Sequence, residues 1–160
     1  PRSTLFPYTT LFRSLMANHE IFDKLHKGEM SSTTGANPVS AAATMAVLEV
    51  FEQEDLLGNC NRVGGYMLEE LRKLQDKHEV LGDVRGFGMV IGLEFVKSKA
   101  TKEPAPDLTG EVTERMARKG VVCGKVGIHG NVIRVAPPLC ITMEQAEESI
   151  KCLDEVLSEL

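Results

Sequence analysis

No two cysteines in this sequence are spaced C-x-x-C, no histidine-rich tract accompanies them, and no apolar run approaches the roughly 18 residues of a membrane-spanning helix. The four cysteines (Cys60, Cys123, Cys140 and Cys152) therefore read as reduced thiols that pack within a cytoplasmic protein rather than ligate metal. A block of like charge is also missing. The net charge of −5 is spread along the chain, so no basic strip for nucleic acid and no patch for a membrane surface is expected. What is present is ordinary: 160 residues, 42% hydrophobic and 26% charged, about one domain's worth of chain with enough apolar content for a core. The expectation is a soluble cytoplasmic domain.

Residues 1–14, "PRSTLFPYTTLFRS", stand apart. They contain no acidic side chain, repeat Thr-Leu-Phe, and lack the continuous apolar core and small-residue cleavage site of a signal peptide. They look like one reading frame of a sequencing adapter, and such segments are set aside from fold reasoning. The natural sequence is expected to begin near Leu15.

Residues 15–27 read as a short helix or turn-helix with Ile21, Phe22 and Leu25 apolar, ended by Gly28. A hydroxyl-rich loop follows. Asn37 can cap the next helix, with Pro38 in its first turn, where a missing N–H costs nothing. Val39, Ala42, Ala43, Ala46, Val47 and Val50 recur at helical spacing and predict a buried face. A second helix over 56–78 carries Val63, Met67, Leu71 and Leu74 on one stripe. Residues 81–96 are glycine-punctuated and rich in Val, Ile and Phe, which predicts a short strand, a turn and a longer strand. A Pro-containing loop at 101–110 leads into a helix ending near Arg118, with Val112 and Met116 inward. Two more strands flank the glycine-rich turn at 127–130, and Pro137 and Pro138 stop the second. The last helix, 143–160, has Ala146, Ile150, Leu153, Val156 and Leu157 on its core face. This order predicts an α+β layer, one small sheet with helices packed on one face.

Three stretches could carry chemistry. Gly86, Gly88 and Gly92 nearly match a dinucleotide fingerprint, but that motif needs a helix after the glycines, and Met89, Val90, Ile91 and Leu93 have strand composition. A tight turn is the better reading. Ser31, Ser32, Thr33 and Thr34 precede a capped helix, and hydroxyls with free N–H groups at a helix start can cradle a phosphate, although such clusters usually only cap. Arg134 lies among Val132, Ile133, Val135 and Ala136 in a strand expected to be largely buried. A buried arginine needs a partner, and its planar fork suits a carboxylate; on the solvent face it would be a plain surface arginine. Arg85, beside a glycine turn, carries the same ambiguity.

Together, "SSTTGANPVSAAATMAVLEV", "DVRGFGMVIGLEF" and "GNVIRVAPPLCIT" resemble, in order and spacing, the C-terminal third of class III aminotransferases. These are fold type I pyridoxal 5'-phosphate enzymes related to the 4-aminobutyrate, ornithine and alanine–glyoxylate aminotransferases. The resemblance runs from about Leu15 to Leu160. It implies that Thr33, with Ser32, reaches across a homodimer interface to the phosphate of the partner's cofactor, and that Arg134 binds a substrate carboxylate. It implies an amino donor and a 2-oxo acid acceptor as substrates. The family's Schiff-base lysine stands upstream of the hydroxyl loop, and Lys24 and Lys27, the lysines before Thr33, lack its context. The chain alone is therefore expected to be inactive. The expected organisation is an adapter-derived segment (1–14), an interface loop and helix (15–55) and a small C-terminal domain (56–160). A non-catalytic α+β phosphate-binding or interaction module is the alternative.

Overall fold

A computed structural model of the chain describes residues 18–26, 29 and 37–160. The chain divides into two units, Pro1–Glu54 and Asp55–Leu160.

In the first unit, α1 (His19–Phe22) starts at Asn18, whose side chain accepts the Ile21 N–H. It is a single turn of helix within the short helix or turn-helix expected over 15–27. Asp23 closes it by donating its N–H to the carbonyls of His19 and Ile21, before Gly28, which lies outside the described residues. Helix α2 (Pro38–Gln53) begins as its sequence predicts, with Asn37 as cap and Pro38 in the first turn. Among the described residues nothing covers the face its spacing predicts: no residue of α2 is buried, and Val39 is 77% exposed, Met45 58%, and Val47 and Leu48 53%. Periodicity says which residues share a face, not whether the opposing surface is supplied.

The second unit opens with α3 (Leu56–Lys77), followed by β1 (Leu81–Phe87), β2 (Val90–Phe95), α4 (Pro106–Arg118), β3 (Gly124–Val126), β4 (Val132–Val135) and α5 (Met143–Ser158). The strands form one sheet in the order β1-β2-β4-β3, and every neighbouring pair is antiparallel. Among the described residues the fold is thus α+β: a four-stranded sheet with helices.

Strand alternation fixes the covered face. Val84, Ile91, Leu93, Phe95 and Ile133 are buried, while Arg85, Gly92, Glu94 and Arg134 between them are not. The helices lie on the first side. Helix α3 buries Val63, Met67, Leu71 and Leu74, the stripe its spacing predicts, and α4 buries Val112 and Met116. Helix α5 buries Ala146, Leu153, Val156 and Leu157, leaves Ile150 half-buried against the core, and adds Cys152, which its periodic reading passes over. A capping box at Thr142 and Gln145 starts α5, each side chain bonding the other's backbone N–H.

Residues 81–96 form the expected strand, turn and strand, paired as a hairpin, although the first strand, at seven residues, is not shorter than the second, at six. β1 runs through Gly86 to Phe87 and β2 pairs back from Val90. Gly88 takes φ +57 at the turn, a left-handed conformation that glycine adopts without strain. The residues after Gly88 are strand, so the phosphate-binding turn-to-helix geometry is absent at this motif. Helix α3 approaches the turn so closely that a Cβ on Gly64 would stand 2.5 Å from the Gly88 carbonyl. No described helix is long and apolar enough to cross a membrane.

Candidate carboxylate-binding face

The uncovered side of the sheet holds its charged residues in two rows. Across the strands, Arg85 faces Gly92, Gly92 faces Arg134, and Arg134 faces Gly124. One pleat further on, Asp83 faces Glu94, Glu94 faces Val132, and Val132 faces Val126. Two arginines thus flank a glycine, two strand spacings or roughly 10 Å apart.

The two arginines differ in company. Arg85 Nη1 donates to Glu94 Oε2 at 2.7 Å and also contacts Asp83 Oδ2. The Asp83 hydrogen bond, then that of Glu94, pushes the Arg85 pKa above its ordinary value. For Arg134, no described carboxylate comes within 4.0 Å.

Arg134 is exposed while its neighbour Ile133 is buried. The expectation of a largely buried strand is corrected here: β4 belongs to a sheet covered on one side only, so only alternate residues are enclosed. Burial does not oblige Arg134 to have a partner. Among the described residues it stands open to solvent, with no carboxylate on it.

Local structure places it. Asn131 is 4% exposed, donates its side-chain amide to the Phe95 carbonyl at 2.9 Å, and accepts the Phe95 N–H through its own carbonyl at 2.7 Å. This clamps one end of β4 to β2. Beyond the other end, Asn59 of α3 donates to the carbonyls of Leu139 at 2.7 Å and Ile141 at 3.0 Å, fixing the chain that leaves Pro137 and Pro138. Arg62 donates to Asn59 Oδ1 at 2.8 Å and orients that amide. Sequence reasoning misses both asparagines, because single polar residues carry no periodic signal.

Ser32 and Thr33 lie outside the described residues. The helix start beside them is described. Asn37 Oδ1 accepts the N–H groups of Val39 at 2.9 Å and Ser40 at 3.3 Å, and the Asn37 carbonyl accepts that of Ala41 at 3.0 Å. Pro38 has no N–H, so the first turn of α2 offers no free donor. The rest of the expected cradle, residues 31–36, lies outside the described residues.

Among the described residues, no group of three or more His, Cys, Asp or Glu side chains is placed to hold a metal ion. Burial pushes the Cys123 and Cys152 thiols above their ordinary pKa, which keeps them protonated and poorly nucleophilic.

Comparison with known proteins agrees with this architecture. The family profile "Aminotransferase class-III" matches residues 10–157. A mitochondrial alanine–glyoxylate aminotransferase 2 homologue of Arabidopsis thaliana is 39% identical over 147 residues, covering 92% of this chain and 31% of that protein. An alanine/serine racemase of Pyrococcus horikoshii is 37% identical over 145 residues, covering 91% of this chain and 30% of the racemase. An amine transaminase from an uncultivated Pseudomonas species, solved in its PLP-bound form, superposes with a TM-score of 0.76 at 32% identity, covering 84% of this chain and 30% of that one. The chain belongs to the class III aminotransferase family. It spans about a third of the length of these relatives.

Proposed function

We propose that this chain is the small-domain part of a pyridoxal 5'-phosphate-dependent aminotransferase that moves an amino group from an amino or ω-amino acid to a 2-oxo acid. Residues 56–160 are the small domain in this reading, and 15–55 lead into it from the rest of the enzyme. The observation that carries the reading is Arg134, an arginine without a described carboxylate partner on the uncovered face of the sheet. Its fork holds a carboxylate at two points, orienting a substrate whose amino group must meet the cofactor. The Arabidopsis and Pyrococcus relatives act, by name, on alanine, serine and glyoxylate, all carboxylate-bearing molecules.

The described residues fit the substrate end of such a site. Pyridoxal phosphate, when bound, supplies the electron sink for the amino-acid chemistry. Since the first-turn N–H groups of α2 are occupied, its phosphate would rest on the hydroxyls of Ser32 and Thr33 rather than on the helix start. The cofactor is that of a partner subunit in a homodimer, and the uncovered apolar surface of α2 suits such an assembly. The setting is cytoplasmic, which suits four unpaired thiols.

The experiment is kinetic, on the full-length enzyme carrying these residues. Arg134→Ala raises KM for L-alanine by roughly tenfold or more, the worth of a charge-assisted contact. An unchanged KM rejects the carboxylate role. Thr33→Ala weakens retention of pyridoxal phosphate on dialysis, and equal retention rejects the phosphate role.

A further inference from the structure

Glu94 occupies a position that the register makes ambiguous. It faces Asp83 on one side and Val132 on the other, so it is one pleat from Arg85, which faces Gly92, and one pleat from Arg134, which also faces Gly92. Such diagonal neighbours stand roughly 7–8 Å apart across a sheet, within reach of long side chains. Gly92, between the two arginines, carries no side chain that could screen one side from the other. By register alone, Glu94 could serve either guanidinium.

The structure shows which one it serves. Glu94 Oε2 is 2.7 Å from Arg85 Nη1, and Asp83 contacts the same nitrogen, so one arginine takes both carboxylates of the face. Two negative charges thus sit on one positive charge, and the surplus would fall to the next available cation if Arg85 were absent.

We infer that Arg85 is a positioning residue: by holding Asp83 and Glu94 on the β1 side, it keeps Glu94 off Arg134 and leaves Arg134 available for the substrate carboxylate. This rests on the carboxylate role proposed for Arg134. Without Arg85, Glu94 reaches over Gly92 and competes with substrate from within the protein. An internal carboxylate is always at high effective concentration, so its competition appears as weaker substrate binding.

The test is a set of variants of the full-length, cofactor-loaded enzyme, read as KM for L-alanine. Arg85→Gln raises KM by roughly tenfold, as expected when a charge-assisted contact must be displaced. Adding Glu94→Gln to it returns KM to within about twofold of the parent enzyme, because the competitor is gone. Arg85→Gln placed on Arg134→Gln adds nothing to the effect of Arg134→Gln alone. A merely structural role for Arg85 would produce neither the rescue nor the masking. An unchanged KM in Arg85→Gln, or a failure of Glu94→Gln to restore it, overturns the inference. If Arg85→Gln does not fold, Arg85→Met carries the same test, since it removes the charge and keeps an unbranched stem of similar packing; an unchanged KM there overturns the inference equally. Should Arg134→Gln itself leave KM unaltered, the carboxylate role falls and this inference with it. If Arg134→Gln raises KM and Arg85→Gln does not, only the present inference falls.

Discussion

Gly92 of β2 is the direct cross-strand partner of Arg134 of β4 on the uncovered face of the sheet. A Cβ at Gly92 would stand 3.6 Å from Val132 Cγ1, an ordinary contact, so the backbone does not require glycine there. Open space beside the arginine is what glycine supplies. Gly92→Val therefore keeps the fold, and relief of the strand's glycine raises stability by about 0.5–1 kcal/mol in thermal melts. The same change crowds Arg134 and raises KM for L-alanine in the full-length enzyme. A valine variant that is both less stable and kinetically unaltered would contradict both halves.

Gly64 and Gly65 are neighbours in α3 with opposite surroundings. At Gly64 an added Cβ meets the Gly88 carbonyl at 2.5 Å, whereas nothing lies within 4 Å of one at Gly65. Gly64→Ala forces the helix away from the hairpin turn and costs about 1–3 kcal/mol, as overpacking typically does. Gly65→Ala stabilises the helix by about 0.5–1 kcal/mol through its better propensity. Denaturant titrations of the two variants separate them, and the same sign for both would be the wrong result.

Asp154 of α5 receives hydrogen bonds from Lys77 Nζ at 2.8 Å and is 2.6 Å from His78 Nε2, joining the end of α3 to α5. The Lys77 bond, then that of His78, holds the Asp154 carboxyl below its ordinary pKa. A carboxyl lowered by folding stabilises fully above the unfolded value, near pH 4, and that stability drains away as pH falls through the folded value. Asp154→Asn consequently lowers Tm by about 2–4 °C near neutrality, as for a partly exposed pair of modest worth. The gap from the parent narrows progressively as melts are taken below about pH 4. A gap that widens in acid would show another group to be responsible.

Asn131 is buried and bonded to Phe95 through both side chain and carbonyl. Asn131→Ala removes the side-chain bond and leaves a small void, for a loss of about 1–2 kcal/mol by denaturant titration. The Phe95 carbonyl keeps its bond from the Ala105 N–H at 3.2 Å, which limits the damage. A loss above about 4 kcal/mol would mean that the clamp carries more than one hydrogen bond.

Much of the fold is legible in the sequence because its signals are periodic. The stripes of α3 and α5 are written at helical spacing, and each buries nearly the residues that spacing selects. Strand composition after Gly88 suffices to reject a nucleotide-binding turn, and β2 occupies those residues. What the sequence conceals is phase and partnership. Arg134 has apolar residues on both sides, so alternation alone could place it on either face; the pairing with Gly92 decides. The faces of α2 are equally regular, yet no residue of that helix is buried. Asn59 and Asn131 act singly, and a lone polar residue announces nothing until its carbonyl partners are known.

The strand order β1-β2-β4-β3 contains two local hairpins, β1 with β2 and β3 with β4, and one seam joining β2 to β4 across the intervening α4. Zipping that seam is the slow event expected in forming the sheet, since among the strand pairings it alone joins distant parts of the chain. A misalignment of one residue along it would turn Arg134 inward among Ile91, Leu93 and Phe95, burying an unpaired guanidinium in the greasy layer, at heavy cost. The residue proposed to grip a ligand thus also proofreads the assembly of the sheet that displays it.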